Sequence, residues 1–281
     1  MRGLAEYVMS GRLQAATVAV LFGLIPGLSV VSGAVVALVI LRRGLQDGIQ
    51  ILLWAMLPPG LQWLLGDPSP AFVLVGVVLA SLVLRKTQSW QMTSVLIMLA
   101  GVLLQLSLPL QQTYIAHSQE IMDTLVANGL SLQVVVDGEV VTATSRQLVD
   151  ALLRFYGGYQ MLMMLGCMLL GRYWQALLYN PGGFRQEFHN LRFDRRLMGV
   201  LLVLVALGVY GVSPLNDWLM MFCMVPILNG LAVVHSVVAQ RKMGTTWVIL
   251  AYLLLFIAAP AYVLLGFVDS AIDIRKRLPA A

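Results

Sequence analysis

Residues 13–41 read LQAATVAVLFGLIPGLSVVSGAVVALVIL, an uncharged run of 29 residues. As one straight helix it would measure about 43 Å, against a hydrocarbon core of about 30 Å. Such a segment belongs in lipid, and it is either strongly tilted or broken. A break is written at Gly23-Leu24-Ile25-Pro26-Gly27. Proline removes a backbone donor and clashes with the preceding turn, while the glycines permit a reversal. The expectation is a hairpin of two short helices. Each half is about 20 Å long, too short to span comfortably, so the turn belongs inside protein and not against lipid.

The rest of the chain carries the same signal. Of 281 residues, 59% are apolar and 11% charged, less than half of the roughly 25% charge usual in soluble domains. Mean hydropathy is +0.85. An ordinary soluble enzyme and a disordered chain are both excluded. The simplest architecture is an all-α polytopic membrane protein with a small α/β external cap insert. Beyond the first hairpin, candidate membrane helices are 46–64, 71–84, 91–109, 155–178, 198–213, 218–240 and 246–267, about nine hydrophobic helices in all. Pro58-Pro59-Gly60 should end the regular part of the third early. The chain divides into a first membrane-helix group (1–109), the insert (110–154), a second group (155–267) and an amphipathic basic tail (268–281). Without a convincing small-residue cleavage site, the first segment reads as retained.

Net charge is +5 and the pI is near 9.4, yet nucleic acid is not implied. Basic residues fall in small clusters between apolar runs, as at Arg42-Arg43, Arg85-Lys86 and Arg241-Lys242, where they act as orientation signals. Placing Arg42-Arg43 in the cytoplasm leaves only Arg146 and Arg154 in external loops before the last helix. Arg275-Lys276-Arg277 then falls outside by parity, against the positive-inside tendency. Two devices could remove that conflict: Pro260 breaks the last helix and returns it, or residues 268–278 lie along the interface. Trp63, Tyr114, Tyr156 and Trp218 at external ends, and Trp90, Tyr173, Trp174, Tyr179 and Trp247 at cytoplasmic ends, read as two anchoring belts.

Within the insert, 111–127 reads as an amphipathic helix with Ile115, Ile121, Met122 and Leu125 among its apolar positions. Val134-Val135-Val136, Asp137-Gly138 and Val140-Val141 form a β-hairpin signal. Thr144 and Gln147 have capping-box spacing, so a helix starts there. About 45 residues are too few for an independent core, and the insert should pack on the membrane domain as a lid.

Catalytic chemistry is not written in the sequence. His117, His189 and His235 fall in separate segments, neither Cys167 nor Cys223 has a nearby partner, and there is no phosphate-cradling glycine motif. No enzyme, metal or cofactor is implied. Intramembrane polar residues are more informative, because they are costly in hydrocarbon without partners. Asn229 follows Pro226 by three residues and precedes Gly230. Either it coordinates a substrate, or it bonds a neighbouring helix or carbonyls freed by Pro226. Asp47, Gln50 and Trp54 share a helical face, which makes one wall of a polar cavity or only lets Asp47 pair with Arg42 or Arg43. Candidate substrate-binding residues are therefore Asn229, Pro226, Gln50 and Trp54, with Pro26 at the broken hairpin. Met161, Met163, Met164 and Met168 read as gap-filling.

Ala15, Ala19, Gly23 and Gly27 recur every fourth residue, a ladder that lets another helix approach closely. Internal packing is expected of Gly23 and Gly27, and docking of a separate subunit of Ala15 and Ala19. The opening Leu13–Gly44, the helix-rich insert and the ending Gly266–Arg277, with its Asp-x-x-x-Asp-x-Arg-Lys-Arg run from Asp269, resemble the YybS-like family of bacterial membrane proteins. That resemblance implies no established activity. It implies a membrane core similar to the substrate-binding components of energy-coupling-factor vitamin transporters, and thus a membrane coupling subunit as partner beside the lipid bilayer. The function expected is transport-related small-molecule binding in a bacterial inner membrane, multi-pass and without an ATPase of its own. The alternative is a non-transporting scaffold that organises other membrane proteins.

Overall fold

The computed structural model describes residues 1–25, 27–136 and 139–277, with backbone alone for 134–136 and 139–141. Pro26, the turn residues Asp137 and Gly138, and 278–281 of the basic tail lie outside the described residues. Helices α1 (Arg2–Ser10), α2 (Arg12–Leu24), α3 (Ser29–Arg43), α4 (Leu45–Ala55), α5 (Leu57–Leu64), α6 (Ser69–Thr87) and α7 (Trp90–Ser107) come first. The insert follows, with α8 (Gln112–Ala127), β1 (Gln133–Val136), β2 (Glu139–Thr142) and α9 (Ser145–Arg154). Then come α10 (Tyr156–Tyr179), α11 (Gly183–His189), α12 (Arg195–Val209), α13 (Leu219–Gln240), α14 (Thr245–Ile272) and α15 (Ile274–Arg277). The protein is 83% helical.

Among the described residues five helices are long and apolar enough to cross a membrane: α6, α7 with its extension to Leu110, α10, α13 and α14. The nine expected from hydropathy shrink to five because α2, α3 and α12 have 13, 15 and 15 residues, well under the roughly 20 of a full span. The 46–64 run is also divided, at Met56, into α4 and α5. The regular part of the run ends early beside Pro58 and Pro59, as expected, but residues 61–64 remain helical, contrary to expectation. The two prolines occupy the first turn of α5, where a missing N–H has no partner to lose and the fixed φ suits a helix.

At the centre lies α3, apolar on every side and buried from Ser32 to Leu41, as an all-round hydrophobic helix must be. Its closest partner is α10. A Cβ on Gly171 would sit 2.8 Å from the Ala37 methyl and 3.0 Å from the Ala34 carbonyl, so glycine sets the approach of these two helices. Met161, Met164 and Met168 fill the same core, as expected.

The helices alternate between two ends. At one, Arg43 bonds the Met9 carbonyl at 2.7 Å, Arg12 pairs with Asp47 at 2.7 Å, Arg85 bonds the Ile40 carbonyl at 2.7 Å, and Arg172 pairs with Glu187 at 2.8 Å. This basic end gathers every basic residue except Arg146 and Arg154 of α9. The other end carries the insert and the 64–69 turn, joined where the Tyr156 hydroxyl meets Ser69 at 3.2 Å and Gln111 at 3.0 Å.

The tail also reaches the basic end, because α14 does not run straight. Ala258, two residues before Pro260, has non-helical dihedrals. The Tyr262 hydroxyl donates to the Ala251 carbonyl at 2.6 Å, whereas residues eleven apart in a straight helix are separated by about 16 Å. Gln240, just before α14 begins, bonds the Arg275 carbonyl just after it ends. The two ends of the helix therefore lie at the same end of the bundle, the geometry that the proline-return device requires.

Three aromatic assignments change. Trp63 and Trp247 are half exposed, as anchors are, but Trp90, Tyr156 and Trp174 are buried core residues. In the insert, Thr144 and Gln147 form the expected capping box. The insert's own buried cluster is Met122, Ala143, Leu148 and Val149, whereas Ile121 and Leu125 are exposed. It is thus a pair of helices with the paired strands β1 and β2 appended, not a packed α/β cap.

Candidate functional site

Two polar loci interrupt the apolar interior. The first is a knot between α13 and the end of α14. Asn229, fully buried, donates to the Gly266 carbonyl at 2.8 Å and to the Ser270 hydroxyl at 3.1 Å. Its amide oxygen faces Arg275 at 3.4 Å, and Arg275 pairs with Asp269 at 2.6 Å and bonds the His189 carbonyl at 2.7 Å. Arg192 pairs with Asp273 at 2.7 Å on the outer side of the knot. A Cβ on Gly266 would land on the Pro226 carbonyl, so α14 crosses α13 backbone to backbone there. The Asn229 amide nitrogen has two protein partners on α14, and the amide oxygen faces Arg275. Its place is therefore the neighbouring-helix alternative, and Pro226 is packed against that same helix.

The second locus is a cavity of about 140 Å³ at the insert end, beside the segment that joins α2 to α3. Gly23 lines it, so the cavity lies at the expected break, with Pro26 outside the described residues. The first residues of two helices converge on it, Ser29 of α3 and Ser69 of α6. Both helices point their N-terminal dipoles inward. Asp67 opposes them: its carboxylate accepts the Ser69 N–H at 2.9 Å. Burial first, and then the charge of Asp67, push the Tyr114 hydroxyl up to about 12, so it stays a donor at any physiological pH. No basic side chain lines the cavity among the described residues.

Gln160 of α10 completes the lining. It is 3% exposed, and no hydrogen bond engages its amide among the described residues. Sequence reasoning missed Gln160, Ser32, Ser69 and Asp67. The available signal was a glutamine in the apolar first half of a 24-residue helix, of the same kind that singled out Asn229.

The remaining expected site residues lie elsewhere. Gln50 is exposed and Trp54 is 55% exposed on the outside of α4, lining none of the described cavities. Asp47 pairs with Arg12 of α2 in place of Arg42 or Arg43. Gly23 of the ladder is packed internally against Pro58 and Ser32, as expected, but the other three positions depart from expectation. Ala15 and Ala19 are buried against the protein's own helices, while Gly27 stands open with φ +81°. The reason is the tight packing of α2 on α3 and α4, which consumes the small-residue face. Cys167 and Cys223 are free thiols, and no group of three metal-ligating side chains occurs among the described residues.

Comparison with known proteins adds no relative: no family model, no curated protein and no solved structure matches this chain.

Proposed function

We propose that this chain is a multi-pass protein of a bacterial inner membrane that binds a small polar molecule in the cavity beside the α2–α3 break, in the service of transport and without an ATPase of its own. The observation that carries the reading is Gln160. Its amide opens on the cavity with no hydrogen bond among the described residues, and a ligand offering one donor and one acceptor would engage both of its groups. At about 30 Å³ per water-sized group, a cavity of about 140 Å³ holds four or five such groups. With Asp67 offsetting two helix N-termini, the chemistry favours a compact uncharged or cationic molecule over an anion.

In this reading the threading has nine hydrophobic elements, with α2, α3, the α4–α5 pair and α12 joining the five longer helices. The gathered basic end faces the cytoplasm, following the positive-inside tendency, and α8, through Tyr114, forms part of an external lid. A membrane coupling subunit would meet a surface other than Ala15 and Ala19.

The test is mass spectrometry of small molecules released from purified protein, with Gln160→Leu and Ser32→Ala alongside. The wild type should carry a compact polar compound that both variants lose. An empty wild type, or the same compound retained by folded variants, would count against the reading.

A further inference from the structure

A second and larger cavity, about 670 Å³, opens between α10 and α11 on one side and α13 and α14 on the other. Its walls are mostly apolar, with Leu169, Leu228, Leu231 and Val238 among them. Along α13 the lining runs from Leu228 to Ala239. Those twelve residues, eleven steps, rise about 16 Å, the depth of one leaflet of a hydrocarbon core about 30 Å thick.

The polar groups sit toward the basic end. His235 and Tyr252 bond each other at 3.1 Å across the groove, and His235 also packs edge-on against Phe188. Arg185 of α11 lines the mouth and is exposed, with no ion pair or side-chain hydrogen bond among the described residues. Burial, then Arg185 and Arg275, hold the His189 imidazole below its ordinary range, so it stays uncharged near neutral pH. Arg185 is therefore the fixed charge at the mouth. Arg241 and Lys242 add two more in the turn that precedes the lining residue Met243.

An apolar slot one leaflet deep, walled by the long apolar helices α10, α13 and α14 and with a free guanidinium at its mouth, matches an amphiphile with an anionic head. We propose that the groove holds an acyl chain of one anionic phospholipid from the adjoining leaflet, with its phosphate on the Arg185 guanidinium. Arginine suits this role because its planar fork matches phosphate oxygens in pairs. The site is separate from the cavity at Gln160, and it stands or falls without it.

The experiment measures thermal unfolding and native mass spectra of the purified full chain in detergent. Dioleoylphosphatidylglycerol, dioleoylphosphatidylcholine or inorganic phosphate is added to wild type, Arg185→Gln, Arg185→Lys and Ala239→Phe. Phosphatidylglycerol should raise the midpoint by several degrees and leave one retained lipid, phosphatidylcholine should do much less, and inorganic phosphate nothing. Arg185→Gln should weaken phosphatidylglycerol about tenfold, as loss of one charge-assisted contact would. Arg185→Lys should keep part of the preference, and Ala239→Phe should abolish retention by filling the slot. Equal effects of the two lipids would overturn the assignment, as would a preference unchanged in Arg185→Gln. So would a shift reproduced by phosphate alone, or lipid retained by folded Ala239→Phe.

Discussion

Arg275→Met is the sharpest perturbation of the knot that returns α14. The Asp269 side chain is fully buried and that of Arg275 is 8% exposed. Two contacts matter, at 2.6 Å to Asp269 and 2.7 Å to the His189 carbonyl. Those at 3.4 Å to the other Asp269 oxygen and to Asn229 are too long to weigh much. Methionine keeps most of the apolar stem, so the principal loss is electrostatic: a carboxylate stays buried with no cation. Breaking a buried pair in this way costs about 3–5 kcal/mol. Removing both partners is a different matter, because no orphan charge remains. The double variant Asp269→Leu with Arg275→Met should lie within about 1 kcal/mol of wild type, since apolar replacement of a buried pair is often neutral or stabilising. Reversible unfolding in mixed micelles, run as a double-mutant cycle, measures both quantities. A single variant within about 1 kcal/mol of wild type, or a double variant as damaged as the single, would refute the claim that this pair holds the returning half in place.

Other expectations follow from the same geometry. In a chain lacking Cys167 and Cys223, single cysteines at Met243 and Lys276 should be labelled by an impermeant reagent from the same side of the membrane, and labelling from opposite sides would mean that α14 crosses. Gly266→Val should destabilise by about 1–3 kcal/mol in detergent unfolding, because its side chain meets the Pro226 carbonyl. Ala19→Leu should cost a similar amount, since Ala19 is fully buried against α3 and α4, and an unchanged midpoint would return the ladder to the surface. His189 is held below its ordinary value of about 6.5. Its contribution is therefore complete above that pH and lost as pH falls through about 6.5 and below, where the unfolded chain binds the proton more readily. The slope of stability against pH in that window should flatten in His189→Gln.

Hydropathy located the membrane elements because burying apolar surface requires the same composition whether the neighbour is lipid or protein. That equivalence also explains its errors. Residues 29–43 and 195–209 are apolar like the longer helices, yet α3 and α12 have 15 residues each, and α3 buries its surface within the protein. Trp90, Tyr156 and Trp174 looked like anchors because their sequence positions lie near helix ends. Local sequence does not say which way a ring faces, and these face inward. Capping is a contact of neighbours in the chain, and the Thr144–Gln147 box was legible for that reason. The cavity at Gln160 was not, since Ser32, Ser69, Asp67 and Gln160 meet only once α3, α6 and α10 are packed.

The one long-range feature the sequence did carry is the charge pattern of the tail, and its logic is energetic. A straight α14 of 28 residues would measure about 42 Å and place Asp269, Asp273 and three basic residues at the end opposite every other basic cluster. Folding back at Ala258 brings those charges to Arg192, Asn229 and the His189 carbonyl, where each acid finds a cation. The reversal exposes Phe256, 90% accessible, and Ile257 at its tip, which is inexpensive in hydrocarbon and costly in water. The charge conflict in the tail is matched by a bend in the structure: the helix whose count of residues would carry those charges away is the one that folds back on α13.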